Sequence, residues 1–259
     1  EKWSDRSSLT VRGFMTHHKL SEAIPDHPVY LSRADGHAAL VNAKAMDMMN
    51  VGKATQPPEG GEIIKGGDGH PTGIFVDRAQ NLIEVPPMTD SQLRQALELG
   101  IQECLTNGIT MFDDAGVGHR TIRMYKAYAE QGKLDMRIYA MAAGLYTMRA
   151  IGKPILDQGG FLTVRTVKLV ADGALGSRGA ALLEPYEDDP GNSGFFTTPP
   201  ESVYTAAQYA LKHGWQAAVH AIGDRANRMM LDMYEKAMNE FPHVKDHRFR
   251  NEHTQILDE

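Results

Sequence analysis

Three residues of this chain combine chemistry-bearing types with suggestive positions: Lys168, His220 and His253. Lys168 lies in Thr163–Val170, an apolar run that reads as a buried strand feeding the Gly-rich loop Ala171–Arg178. Strand side chains alternate between faces, so Val164, Thr166, Lys168 and Val170 share one side. A buried ammonium must find a partner or lose its charge. Lys168 therefore has three readings: it pairs with Asp172 or snorkels to the strand end, it binds metal as a carbamate, or it forms a Schiff base with substrate. His220 closes the strand Gln216–His220, and His253 closes Arg248–His253 one strand later. Neutral imidazoles from neighbouring strands, with a carboxylated lysine, make an N/O pocket suited to zinc and related divalent ions. Such an ion acidifies water and polarises a carbonyl, which is a recipe for hydrolysis. A Schiff-base aldolase-type barrel built on Lys168 is the rival enzyme reading, and the histidine pair argues against it. A regulatory or binding protein on the same framework is the non-catalytic alternative.

Around these three, His37, Asp172 and Arg178 are the candidates for substrate contact. Arg178 suits a carboxylate or an amide oxygen, and Gly173 and Gly176 let the loop backbone approach a ligand. A capping role for His37 and a plain tight turn for the loop remain open. Glu252 precedes His253 in a strand, so it is expected on the opposite face, toward the helices, as a structural residue.

The elements that must position these groups alternate. Pro28–Arg33 reads as a strand, Ala38–Met49 as a Met-rich helix, and Glu62–Lys65 with Thr72–Val76 as a hairpin. A short helical piece is expected around Ser7–His18. From residue 88 the pattern becomes helix, strand, helix, strand. A Thr89/Gln92 capping box opens one helix and Asn107-Gly108 ends it. Strands follow at Ile109–Asp114, Met136–Ala143, Thr163–Ala171, Trp215–His220 and Arg248–His253. Helices are expected at Arg120–Gln131, Met148–Asp157, from the opening Thr198-Pro199-Pro200-Glu201 to His213, and at Asp224–Glu240. Near-continuous apolar strands separated by helices indicate parallel pairing with right-handed crossovers. A (β/α)8 barrel and a doubly wound sheet both fit. No G-x-G-x-x-G follows an early strand, and Asp113-Asp114, Asp172, His220 and His253 all fall at strand ends, where a barrel keeps its catalytic groups.

Composition bounds the rest. The 259 residues are 42% hydrophobic and 23% charged, enough for a packed core, and the net charge of −6 comes with no Lys/Arg run, which argues against nucleic-acid binding. The single cysteine, Cys104, excludes disulfides and cysteine metal sites. No apolar run has transmembrane length, so no membrane partner is expected. A chain opening Glu1-Lys2-Trp3 without methionine, and stopping just after a strand, reads as a central fragment. The expected location is cytoplasmic, with secretion or a periplasmic location left open by the missing start.

Four segments carry a resemblance: Pro28–His37, Val167–Arg178, Val219–Ala226 and Asn251–Gln255. Together they resemble the YtcJ-like branch of the amidohydrolase superfamily (amidohydrolase family 3), which includes N-substituted formamide deformylase and AepA-type proteins. The resemblance implies a (β/α)8 TIM barrel of the metal-dependent hydrolase type. It is present here as a partial barrel of about the second to sixth strands, in residues 88–259, with residues 1–87 as a β-containing insertion. It also implies hydrolysis of a C–N bond in a small amide, formamide or cyclic amide, with one or two divalent ions, zinc being the expected metal, and Lys168, His220 and His253 as metal ligands. Two family features are missing: the His-x-His of the first strand, and the strand-eight Asp that takes the proton from metal-bound water. The fragment by itself is therefore expected to bind metal weakly or not at all and to be inactive. Apolar strand edges left open by a partial barrel suggest a homo-oligomer.

Overall fold

The computed structural model describes residues 14–258. Its front portion is a four-stranded antiparallel sheet, with α1 (His18–Ala23), β1 (Tyr30–Ser32), β2 (Ala38–Val41), α2 (Ala43–Met48), β3 (Gly61–Lys65) and β4 (Pro71–Asp77). The strand order is β1-β2-β4-β3. The hairpin β3–β4 is as the sequence suggests. The helix expected over Ala38–Met49 is instead a strand followed by a shorter helix. Ala38–Val41 is buried throughout between β1 and β4, and Asn42 then caps α2 by accepting from Ala45 N–H at 3.1 Å. Sheet pairing on both sides overrides the helical preference of Ala and Leu. The helix expected around Ser7–His18 lies mostly outside the described residues, and α1 begins at His18.

The remainder contains α3 (Asp90–Thr106), β5 (Met111–Val117), α4 (His119–Glu130), β6 (Arg137–Ala143), α5 (Gly144–Ile151), β7 (Ile155–Gln158), β8 (Leu162–Val170), α6 (Pro200–His213), β9 (Gln216–Ala221), α7 (Asp224–Glu240) and β10 (Arg250–His253). β10, β9, β8, β6 and β5 lie side by side in that order and are all parallel. The five strands and their pairing match the sequence reading. The helix expected over Met148–Asp157 lies earlier, at Gly144–Ile151 with Gly152 as its C-cap, after which β7 pairs antiparallel with β8. Both Thr89 capping-box bonds are present at the start of α3. The main core lies between the sheet and its helices, with Trp215, Ile122, Met136, Met148, Leu162 and Met230 almost wholly buried.

The sheet is curled. Asp113 on β5 and Arg250 on β10 form an ion pair at 3.6 Å, although they lie on its two outer parallel strands. In a flat sheet four strand spacings would separate them by roughly 19 Å, beyond the combined reach of the two side chains. Curling brings the inward face of all five strands around one space. That face carries Tyr139, Thr166, Gln216 and Arg250, and Tyr139 O–H lies 2.7 Å from Thr166 Oγ1 and 2.9 Å from Gln216 Oε1.

Candidate functional site

Lys168 sits one turn of the pleat above Thr166 on the inward face, level with Ala218 of β9. The small Ala218 side chain leaves room beside it. Lys168 Nζ donates to the Leu169 carbonyl at 3.1 Å. Burial drives its pKa down, opposed by the negative charge of Glu252. No ion pair joins this amine to Asp172 among the described residues, and its half-buried side chain lines a cleft.

His220, two residues beyond Ala218 on β9, is 4% exposed. Its pKa is lowered to about 3, first by burial and then by the neighbouring His37, Lys168 and His253. The ring is therefore neutral near pH 7. Its centroid lies 4.6 Å from that of His253 and 4.8 Å from that of His37. Burial also lowers His253, with Lys168 acting the same way. The sequence reading of Lys168, His220 and His253 as one cluster therefore agrees with where their side chains lie.

The route His253 takes is different from the one alternation suggests. Glu252 is level with His220 in the β9–β10 register, so Glu252, not His253, occupies the inward face. This corrects the expectation that Glu252 turns toward the helices. Its carboxylate pairs with Arg250 at 2.7 Å and acts electrostatically on Lys168. His253 reaches the ring of His220 because its own backbone turns into the left-handed region, with φ +81°, followed by Thr254 at +50°. Such torsions are costly for non-glycine residues and concentrate at functional sites.

A cleft of about 540 Å³ opens over these strand ends, lined by His37, Asp77, Arg78, Lys168, Gly116 and Thr197 among others. His37 comes from the front sheet, and its Nδ1 lies 2.6 Å from Asp77 Oδ1. Nothing in the sequence pattern singles out Asp77, 40 residues from its partner, because only the pairing of β2 with β4 brings the two together.

Asp172 and Arg178, the other two residues expected at the substrate, both have partners within the protein. Asp172 is fully buried, and its oxygens accept N–H groups from Ala181 at 2.9 Å, Ile222 at 3.0 Å and Gly223 at 2.8 Å. It holds the loop after β8 against the loop after β9, with Oδ1 3.4 Å from His220 Nε2. Burial pushes its pKa up to about 6 against the pull of those three donors. Arg178, in the left-handed conformation, pairs with Asp188 at 2.5 Å and is not part of the cleft lining. Asp172 is thus held by three backbone donors, and Arg178 by a carboxylate of the same loop.

All 259 residues match the amidohydrolase family Amidohydro_3. The chain belongs to this family. YtcJ of Bacillus subtilis (strain 168) is 33% identical, over 100% of this chain and 49% of that protein. N-substituted formamide deformylase of Arthrobacter pascens is 27% identical, over 85% and 43%. A crystal structure titled as an uncharacterized metal-dependent hydrolase from Pyrococcus horikoshii OT3 superposes with a TM-score of 0.64 at 26% identity, over 92% of this chain and 50% of that one. The chain thus spans about half the length of the relatives it matches.

In this amidohydrolase-family chain, the cluster gathers two imidazoles and one amine beside the carboxylate of Glu252. Among the described residues no three His, Cys, Asp or Glu side chains are grouped so as to hold a metal ion. His220 and His253 are two such side chains, and the third donor of the expected set is the lysine. Two imidazoles and an amine, each with its pKa lowered first by burial, are nitrogen groups that bind a divalent ion once deprotonated.

Proposed function

We propose that this chain is part of a metal-dependent amidohydrolase that cleaves the C–N bond of an amide, formamide or cyclic amide. The observation that carries the reading is the convergence of Lys168, His220 and His253 from three adjacent parallel strands. Lys168, as its carbamate, and the two histidines would hold the ion, with zinc the expected metal. When bound, the ion supplies a Lewis acid for the carbonyl and lowers the pKa of water. The chain's own residues do the rest. Burial keeps His220 neutral so that its lone pair is available, Glu252 balances the charge of the pocket, and the 540 Å³ cleft takes a small substrate. The formamide chemistry in the name of the Arthrobacter relative supports the choice of bond.

We further read the curled five-stranded sheet as the second to sixth strands of a (β/α)8 barrel, with residues 1–87 as an insertion. A cytoplasmic location and self-association remain parts of the proposal. Titration of the full-length protein with zinc, in the presence of bicarbonate, tests the metal set by calorimetry. Lys168→Ala, His220→Asn and His253→Asn should each weaken binding at least tenfold. Equal zinc affinity in folded wild type and all three variants would refute the assignment. Hydrolysis of N-substituted formamides by the full-length protein, abolished by chelator and restored by metal, tests the reaction.

A further inference from the structure

The hydrogen-bonded pair of His37 and Asp77 belongs to the front sheet, yet both residues line the cleft that holds Lys168. Asp77 ends β4 in an unusual backbone conformation for a non-glycine residue, φ +47° and ψ −120°. The conformation is secured locally: Asp77 N–H donates to the His37 carbonyl at 3.0 Å, and Gln80 Nε2 donates to the carbonyls of Asp77 at 3.2 Å and Gly36 at 3.0 Å. The Asp77 side chain is 5% exposed. Oδ1 meets His37 Nδ1 at 2.6 Å, while Oδ2 is buried with no hydrogen-bond partner among the described residues.

A buried orphan oxygen costs stability, so its place calls for an explanation. Oδ2 fits against Gly173 and Gly179 in the loop after β8, and a Cβ on either glycine would overlap it. Gly176 makes similar room for the Arg33 guanidinium from the same sheet. The glycines of Asp172–Gly179 thus form a seat for the front sheet. This gives them a role beyond backbone flexibility.

We propose that Asp77 is a positioning residue: one oxygen holds His37 with Nδ1 protonated and Nε2 turned to substrate, while the other keys the front sheet into the Gly173/Gly179 seat. Nδ1 is committed to Asp77, and Nε2 makes no hydrogen bond among the described residues. A neutral ring in this tautomer offers Nε2 as an acceptor. Its complement is the N–H of a substrate, so a secondary amide fits the cleft better than a tertiary one. The substrate half rests on the hydrolase reading above; the tautomer half stands without it.

The test uses the full chain labelled with ¹⁵N-histidine, at pH 9, where an ordinary imidazole is neutral. Long-range ¹H–¹⁵N spectra identify which ring nitrogen carries the proton, with His37→Gln assigning the signal. Wild type should show His37 protonated at Nδ1. Asp77→Ala should lose that preference, and Gly173→Ala, on a different element, should shift the same signal by displacing Oδ2. Asp77→Leu, similar in volume and without an acceptor oxygen, carries the test if Asp77→Ala does not fold. A His37 signal protonated at Nε2 in wild type, or one unchanged in the folded Asp77 variants, overturns the positioning role. An unchanged signal in folded Gly173→Ala overturns the seat. Titration with N-methylformamide and N,N-dimethylformamide should move the Nε2 signal with at least tenfold tighter binding of the former, a gap lost in the Asp77 variants. Equal affinities overturn the substrate half, whatever the zinc titration shows.

Discussion

Replacing Asp172 by alanine should destabilise the fold without touching the cleft lining. Its carboxylate receives three buried backbone N–H groups, at 2.8, 2.9 and 3.0 Å, and binds together the loops that follow β8 and β9. A hydrogen bond to a charged group contributes about 1.5–3 kcal/mol, so the three are worth roughly 5–9 kcal/mol. The folded-state carboxyl pKa of about 6, against 3.8, is the balance left after those donors have offset most of the cost of burying the charge. Asp172→Ala leaves three buried N–H groups without an acceptor, at about 1–3 kcal/mol each, so the expected loss is at least about 3 kcal/mol, a large share of the stability of an ordinary domain. Asp172→Asn keeps one acceptor oxygen but turns an NH₂ toward backbone donors, and should fall between wild type and the alanine variant. The pH dependence has a definite sign. The folded-state pKa lies above the unfolded one, so between pH 3.8 and 6 the folded protein binds the proton that the unfolded chain has released. This contribution to stability grows as pH falls through that window and is fully present below it. The wild-type advantage over Asp172→Ala should thus widen by about 3 kcal/mol between pH 7 and pH 3.8. Urea unfolding followed by circular dichroism, with buffers across that range, measures both effects. An alanine variant within about 1 kcal/mol of wild type at pH 7, or a gap that narrows in acid, would refute the reasoning.

Other expectations follow from the same geometry. His220 is lowered from 6.5 to about 3, so its contribution is present above pH 6.5 and lost as pH falls toward 3; the metal-free wild type should lose about 5 kcal/mol relative to His220→Asn across that window, read from urea midpoints. A Cβ at Gly223 would collide with the Ala181 carbonyl, so Gly223→Ala should lower the thermal midpoint by several degrees, and an unchanged midpoint would contradict the close approach. Thr89→Ala removes the side-chain half of the α3 capping box and should cost about 1 kcal/mol in the same unfolding assay.

The sequence by itself determined the helix–strand alternation after residue 88, the five parallel strands and the candidate trio, because apolar periodicity, caps and strand-end histidines are local signals. It also pointed to the family through four contiguous segments. Helix Asp224–Glu240 matches to the residue, since its period and its flanking glycine and proline leave little freedom. Ala38–Val41 reads as helix from its alanines yet forms a strand, because partners lie on both sides of it. Tertiary structure alone decided which of Glu252 and His253 faces inward, because one left-handed torsion at the strand end defeats simple alternation. It likewise decided the role of Asp172, whose three donors come from loops 9 to 51 residues away, and the pairing of His37 with Asp77. Short-range pattern specifies elements; contacts between distant segments, formed only once the sheets curl and dock, specify what each charged side chain does.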